Sequence, residues 1–515
     1  MTREELYTAI GGIRDELIER AETHQFKKKL PIARWGALAA GLVLLIGVGA
    51  GLRYFPIGGG AGGGGNEGRT YMSYAGPVFP LTTLEDAAGL TAEREVNYDF
   101  SPYASYEESY EDSKGEMHTY TRYDTAAIVT DGYMLSNATA EAVTVTALYP
   151  FAASLRSELP HVPTITVDGE QVTAEMHIGA YTGGFTGVLG GDESDTRRMN
   201  RSGSASWSDY AALLESGEYM ADAFAAFPAL DQPVVVYEIS NPICTVEASN
   251  PTLNFETTID YSRTTVLTYG TNGGRHDPDG GHLARHFSIP EEWEPGYGES
   301  VYLLVLGDDL TGYRLQGYAD GGCDEGEEIE ATATVTRYES TLSEMLRQFT
   351  VGYWDFVEAD CLLDTLDADI FIGLCAEMMQ DYGLFADDPI ERYSFNDIET
   401  YFSETGSMGR VIYLSFPVTV PAGGSVAVTA AMTKEASIDF VGSLKDRNGY
   451  DMVTQLGSTL AFTAQYASIK SAELIEIADQ NFGFDPANGI TRVTLDPTQP
   501  HYWMDVRKKS DESAE

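Results

Sequence analysis

The stretch TAAIVTDGYML (125–135), followed by AVTVTALYPF (142–151) and TITVDGEQVTAEM (164–176), decides the fold class. Apolar and polar residues alternate along each run, and this period of two is typical of a strand with one buried face and one wet face. Asp131-Gly132 and Asp168-Gly169 are dipeptides that favour tight hairpin turns. Strands of this kind, joined by short turns, predict an antiparallel sheet.

Similar strand patterns continue through most of the chain. They recur at 233–240, 253–269, 300–318, 329–338, 410–441, 460–478 and 490–506, and Pro421–Gly424 predicts a turn inside the 410–441 run. Between 339 and 406 the apolar spacing changes to that of helices. The predicted fold is therefore mainly β, an antiparallel β-sandwich ectodomain with a helical insertion, preceded by one transmembrane helix.

The predicted transmembrane helix lies near residues 33–54. Trp35 to Leu52 is a run of 18 residues without a charge. As a helix this run would be roughly 27 Å long, close to the thickness of the bilayer hydrocarbon. Arg34 and Arg53 flank it, and the flexible sequence GGGAGGGG (58–65) follows.

The charge distribution predicts the orientation of this helix. The net charge is −47, and residues 1–34 hold seven Lys/Arg and six Asp/Glu of the 32 and 79 in the chain, so nearly all the acidity lies beyond the apolar run. Positive charge next to a span marks its cytoplasmic side, which places the N-terminus inside and an acidic ectodomain outside the cell membrane. A cleaved signal peptide is the alternative, but its basic leader is usually shorter. The acidity also argues against binding nucleic acid.

The cytoplasmic segment carries an apolar stripe. Leu6, Ile10, Ile13 and Leu17 fall on one face of a helix within residues 1–25. This face predicts either a tail that lies on the inner leaflet or a docking helix for a cytoplasmic protein partner.

Two resemblances follow from these motifs. LYTAIGGIRDELIERAE (6–22), with the KKK and the span after it, resembles the N-termini of single-pass membrane proteins of Gram-positive gut bacteria, some of which look like anti-sigma factors. This resemblance implies a bacterial source and a signalling role. SNATAEAVTVTALYPF (136–151) with ITVDG (165–169), and FPVTVPAGGSVAVTAAM (416–432), resemble strand pairs of VIT-like secreted β-sandwich domains, which supports the fold class alone.

The sequence thus predicts seven consecutive parts. In chain order they are a cytoplasmic amphipathic segment (1–32), the transmembrane helix (33–54), a Gly-rich linker (55–75), an extracellular β-rich domain (76–338), a helical insertion (339–406), a β-rich region that completes the ectodomain (407–506) and a charged tail (507–515).

One cluster of residues has metal-binding chemistry. RHDPDGGHLARH (275–286) brings five side chains of the types that bind zinc into twelve residues: His276, Asp277, Asp279, His282 and His286. His282 and His286 would share a face if the segment were helical. Because DPDGG is a good turn sequence, a solvated loop between two strands explains the same residues without an ion. A divalent metal is the only cofactor that the sequence suggests, and a catalytic histidine is the third reading.

The cysteines allow either disulfides or buried thiols. All four, Cys244, Cys323, Cys361 and Cys375, lie beyond the predicted span, where disulfides persist. The simplest pairing is within each region, Cys244 with Cys323 and Cys361 with Cys375.

Catalytic signatures are missing. The sequence contains no GxSxG, GxxxxGK[ST], HExxH or CxxC, and no GxGxxG follows a predicted strand. The favoured interpretation is a membrane-anchored extracytoplasmic binding or envelope protein that contacts an unknown extracellular ligand. A transmembrane signalling regulator with a sensing ectodomain is the first alternative, and an extracellular hydrolase with an unrecognised site is the second.

Overall fold

A computed structural model describes residues 71–509, apart from 86, 88, 112–115, 182–184, 188–198, 202–206, 278, 291–299, 322–325, 355–360, 387–391, 393–395 and 440–443. This described part is mainly β, as the alternating sequence predicts, and its sheets are largely antiparallel. The predicted span at 33–54 and the segment with Leu6, Ile10, Ile13 and Leu17 lie outside the described residues. Within the described part, no helix is long and apolar enough to cross a membrane.

The elements fall into three groups along the chain. The first group comprises β1 (Thr82–Thr83), β2 (Leu90–Asp99), β3 (Tyr106–Glu111), β4 (Met117–Arg122), β5 (Ala126–Asn137), β6 (Val143–Ala153), β7 (Thr164–Val167), β8 (Glu170–Gln171), β9 (Glu175–Tyr181), β10 (Phe185–Gly187), β11 (Met199–Arg201), α1 (Trp207–Ser216) and α2 (Glu218–Ala223). The second comprises β12 (Pro233–Cys244), β13 (Thr252–Thr258), β14 (Thr264–Tyr269), β15 (Gly273–Asp277), β16 (His282–Ser288), β17 (Ser300–Gly307), β18 (Tyr313–Tyr318), β19 (Glu328–Ile329) and β20 (Ala331–Thr341). The third comprises α3 (Leu342–Trp354), α4 (Ala368–Asp381), α5 (Ile398–Ser407), β21 (Arg410–Val420), β22 (Ser425–Glu435), β23 (Ser437–Ile438), β24 (Asn448–Val453), β25 (Ala461–Lys470), β26 (Ile475–Gln480), β27 (Arg492–Thr494) and β28 (His501–Lys508).

The first and third groups share their sheets. A seven-stranded sheet has the order β27-β25-β2-β5-β22-β7-β8, and a four-stranded sheet has the order β1-β6-β21-β9. A further four-stranded sheet, β23-β24-β28-β26, comes from the third group alone. β2 pairs with β25 in parallel, whereas its other neighbour, β5, is antiparallel to it. The two ends of the described chain therefore fold together around one core.

The second group forms two sheets of its own. β14-β17-β12-β20 and β15-β16-β13-β18-β19 pack face to face around a separate cluster that contains Phe255, Leu283 and Leu303. The strands of the predicted 76–338 domain thus fall into two sheet systems. The described helices α3, α4 and α5 lie in the region where the apolar period changes.

The central part of one sheet of the second group, β14-β17-β12-β20, is buried on both faces. Tyr237 and Leu303 point into its own cluster, whereas their neighbours Val236 and Leu304 join the main core with α3. The ring of Phe349 on α3 stacks on Tyr269 with centroids 4.1 Å apart. Since both faces are covered, the run PVVVYEIS is apolar almost throughout.

The predicted turns have different outcomes. Asp168-Gly169 joins β7 to β8 with both residues at positive φ, as a two-residue hairpin turn requires. Pro421–Gly424 also turns the chain, but β21 and β22 enter different sheets instead of pairing with each other. The prediction for Asp131-Gly132 is wrong, because both residues lie in the middle of β5.

Candidate functional site

A cavity of about 180 Å³ lies where the extended segment 73–79 crosses the ends of β6 and β22. Backbone bonds hold that segment in place, from Ser73 to Ile438 and from Val78 to Asp451 and Val453. The cavity walls combine hydroxyl groups, aromatic rings and charged groups, which come from Ser73, Tyr74, Ser154, Ser157, His161, Tyr210, Thr433, Lys434 and Glu435.

Lys434 is the unusual member of this lining. Alternate residues of β22 are buried, and Lys434 continues the buried row that runs through Val428, Ala430 and Met432. Its exposure is 7%, and its Nζ donates a hydrogen bond to the carbonyl oxygen of Ala75. Burial lowers the pKa of Lys434 to about 8, against the opposing influence of Asp451 and Glu435.

The ammonium group of Lys434 has capacity for further partners. It carries three N–H donors. Among the described residues, the carbonyl of Ala75 is its one hydrogen-bond acceptor, and no carboxylate lies within ion-pair distance of it. A buried cation with two donors to spare, at the wall of a cavity, is suited to binding an acceptor that enters from solvent.

The adjacent carboxylate, Asp451, is already engaged. Its Oδ2 accepts hydrogen bonds from the hydroxyl of Tyr74 and from Nε2 of His501, the latter at 2.8 Å. The ring of Trp207 stacks on His501 with centroids 4.5 Å apart. Burial, reinforced by Asp451, raises the pKa of Tyr74 well above its usual value, so this hydroxyl stays protonated as a donor. The network fixes the Tyr74 wall of the cavity.

The second carboxylate near the cavity faces solvent. The side chain of Glu435 is 68% exposed, and its Oε1 lies 3.8 Å from Nδ1 of His161. The arrangement therefore offers one buried cation, several hydroxyls and aromatic walls. These are the features of a small-molecule binding site.

The predicted metal ligands lie on a β-hairpin. His276 and Asp277 are in β15, and His282 and His286 are in β16, so the segment is extended and not helical. Residues four apart on a strand are about 13 Å apart, compared with about 6 Å on a helix. Asp279 lies in the turn between the two strands.

Cross-strand pairing brings two of these residues together and places a third on the other face. Asp277 lies opposite His282, whereas His276 lies opposite Leu283 and so faces the other side of the sheet. Nδ1 of His286 lies 2.8 Å from Oδ1 of Asn254. Burial and the nearby Arg285 lower the pKa of His276. In the part of the chain that the structure describes, no group of three or more His, Cys, Asp and Glu side chains is placed to hold a metal ion.

Three of the four cysteines are described, and they are free thiols. Cys361 and Cys375 are buried, and burial raises the pKa of the Cys375 thiol to about 12. The predicted disulfide between Cys361 and Cys375 is therefore wrong. Cys244 is half-buried as a thiol, and Cys323 lies outside the described residues.

Comparison with known proteins gives no assignment. No protein-family model matches the chain. No curated protein matches it either.

Sequence reasoning missed Lys434, although a signal was present. In SVAVTAAMTKE (425–435) the alternation assigns Val426, Val428, Ala430 and Met432 to one face, and the next residue of that face is Lys434. Burying a lysine ammonium costs free energy, so a lysine at an apolar position of a strand points to a specific role. The hydrogen-bond acceptor of Lys434, Ala75, and the neighbouring carboxylate, Asp451, lie 359 and 17 residues away along the chain, so the local pattern could not identify them.

Proposed function

We propose that this chain is a membrane-anchored extracytoplasmic binding protein, with a helix at 33–54 as its anchor and the Lys434 cavity as its ligand site. The uncharged run, its flanking arginines and the acidity beyond it support the anchor and its orientation. One structural observation carries the binding role. The Lys434 ammonium is buried at a cavity wall with donors left over for a ligand.

Binding accounts for the cavity better than catalysis does. A general acid or base must reach the reacting atom, and a nucleophile needs a base beside it. Here Asp451 is held by Tyr74 and His501, and Glu435 faces solvent. Among the described residues of the cavity, the remaining polar side chains are hydroxyls, the Lys434 ammonium and the imidazole of His161, which faces Glu435. No hydrogen bond among these described residues joins that imidazole to one of the hydroxyls, so no nucleophile is paired with a base in this lining.

Thermal unfolding tests the binding role. The full-length chain in detergent is heated with members of a panel of small polar metabolites, because a ligand that binds only the folded state raises the unfolding temperature. We expect at least one compound to raise this temperature in the wild type and to have less effect on Lys434→Met. Lys470→Met, which changes an exposed lysine at the end of β25, should respond like the wild type. A panel without any effect on the wild type would contradict the proposal.

Cysteine labelling tests the topology. Single cysteines placed at Ser113 and at Thr2, in a background without the native cysteines, are exposed to a membrane-impermeant maleimide on intact cells. The proposal expects labelling at position 113 and protection at position 2. The reverse pattern would contradict the orientation.

A signalling role is the second candidate, because the cytoplasmic segment offers a face for a partner. Leu6, Ile10, Ile13 and Leu17 would form that face on a helix, and the segment resembles the anti-sigma-factor-like proteins. Affinity capture with residues 1–30 tests this role, with Leu6→Asp/Ile13→Asp as the matched control. Recovery of the same proteins by both peptides would exclude a specific partner.

A further inference from the structure

We infer that the ligand of the Lys434 cavity is a small organic anion whose carboxylate pairs with the Lys434 ammonium. The inference rests on the proposed function, because it names the class of compound that this same cavity would bind. Three features of the cavity carry it: the charge balance at Lys434, the size of the space, and the polar groups that surround it.

The charge balance favours an anion. A buried ammonium is stabilised by a contacting negative charge, and the two carboxylates nearest to Lys434 do not supply that contact. Asp451 directs Oδ2 to Tyr74 and His501, and Glu435 extends toward solvent. The backbone carbonyl of Ala75 uses one of the three donors of Lys434. A carboxylate has two oxygens that can accept from the remaining two.

The size and the polarity of the cavity bear on the kind of anion. A volume of about 180 Å³ has room for a compound of a few carbon atoms. The hydroxyls of Ser154 and Ser157, whose oxygens lie 3.3 Å apart, can exchange hydrogen bonds with a hydroxyl or keto oxygen of the ligand. Short hydroxy acids and keto acids therefore fit this space better than fatty acids do.

The site should also respond to pH. The titratable groups that surround Lys434 come from every neighbouring element: Tyr74 and Tyr210, His161, Glu435 and Asp451. Since a bound carboxylate favours the charged amine, the anion and the proton bind together. Above the pKa of about 8, the free site loses its proton, so the affinity for an anion should fall about tenfold per pH unit.

Matched pairs of compounds test the inference. Acetate, lactate, pyruvate and malate are compared with their neutral amides by calorimetric titration of the full-length chain in detergent, and inorganic phosphate is the competing anion. We expect at least one acid to bind tenfold or more tightly than its amide at pH 7. The difference should disappear in Lys434→Met and remain in Lys470→Met. The affinity of the acid should decline between pH 8 and pH 10.

The outcomes separate this inference from the proposed function. If an amide binds as tightly as its acid, or if phosphate binds more tightly than every carboxylate, the cavity binds ligands but the assignment of a carboxylate is overturned. If neither acids, amides nor phosphate bind, the inference fails, and the wider metabolite panel then decides the proposed function. Equal affinity at pH 7 and pH 10 would overturn the role of the Lys434 ammonium.

Discussion

Arg94 on β2 and Asp131 on β5 form a two-point ion pair inside the main core. Nε of Arg94 lies 2.9 Å from Oδ1 of Asp131, and Nη2 lies 2.8 Å from Oδ2. Both side chains are fully buried. Both side chains make further hydrogen bonds. Arg94 also donates to the carbonyls of Phe79 and Val453. Asp131 also accepts a hydrogen bond from the hydroxyl of Tyr133.

Replacing Arg94 should destabilise the protein strongly. Arg94→Met leaves the Asp131 carboxylate buried without its cation, and such a loss lowers the free energy of unfolding by about 3–5 kcal/mol. The matched control is Arg492→Met, which breaks an ion pair with Glu95 that is largely exposed, and which should cost less than about 1 kcal/mol. Urea unfolding of the three proteins measures both effects. Equal losses in the two variants would show that burial does not determine the value of the Arg94 pair.

Replacing Lys434, in contrast, should raise the free energy of unfolding at neutral pH. Its pKa is about 8 in the folded state, against 10.5 ordinarily, and each unit corresponds to about 1.4 kcal/mol. Below pH 8 the charged ammonium therefore lowers the free energy of unfolding by about 3 kcal/mol, and Lys434→Met removes this penalty. The same substitution costs about 1 kcal/mol because the Ala75 carbonyl loses its donor. We expect a net gain of about 2 kcal/mol at pH 7.

The pH dependence of this gain provides its check. Between pH 8 and 10.5 the unfolded chain binds more protons at Lys434 than the folded chain does, so the wild-type free energy of unfolding rises with pH in that window. Lys434→Met should lack this contribution, and its advantage over the wild type should shrink as the pH rises. Lys470→Met, at an exposed position, retains Lys434 and should therefore keep the rise in stability between pH 8 and 10.5. A constant advantage of Lys434→Met across the window would contradict the lowered pKa.

Gly307 should be far more sensitive to an added methyl group than Gly132. Its φ is +92°, and a Cβ atom would lie 1.9 Å from the carbonyl oxygen of Arg263. Gly307→Ala combines about 1 kcal/mol of backbone strain with an overlap that costs about 1–3 kcal/mol more. Gly132→Ala is the control, because its Cβ would meet nothing closer than 3.8 Å and its position is mid-strand. Chemical denaturation should rank Gly307→Ala lowest, and a reversed order would contradict this geometry.

The sequence predicts the β class of the described part because alternation is a local signal. Prediction from the sequence fails where a contact with a residue far along the chain overrides the local pattern. Asp131-Gly132 has the composition of a turn, yet it lies within a strand because Asp131 pairs with Arg94, 37 residues earlier. Asp168 instead stays exposed, where its Oδ1 accepts a hydrogen bond from the N–H of Ala427, and the Asp168-Gly169 turn forms as predicted.

The candidate site was harder to predict than the fold. The cavity forms between segments near Tyr74, Ser154 and Lys434, which are far apart along the chain and meet only when β6, β21 and β22 take their places. Histidine spacing, in contrast, pointed to 276–286, where the strand conformation spreads the imidazoles apart. Spacing can predict a shared face only when the type of element is known.

Asp397 should make the stability of the protein depend on pH in the acidic range. It caps α5 by accepting a hydrogen bond from the backbone N–H of Thr400, and burial raises its pKa above the ordinary value. Because the folded state then holds its proton more tightly than the unfolded state, the stability contributed by protonated Asp397 is lost as the pH rises through the raised pKa. Asp397→Asn keeps a capping oxygen and cannot ionise, so this decline should be absent.

Urea unfolding between pH 4 and pH 7 measures that difference. The matched control is Asp367→Asn, at the exposed N-cap of α4, where the aspartate accepts a hydrogen bond from the N–H of Asp369 in the same way. Asp397→Ala should in addition lose about 1 kcal/mol at every pH, because the cap itself is removed. If Asp397→Asn and Asp367→Asn change the pH profile equally, the burial of Asp397, whose backbone pairs with Thr268 of β14, is not the origin of the effect.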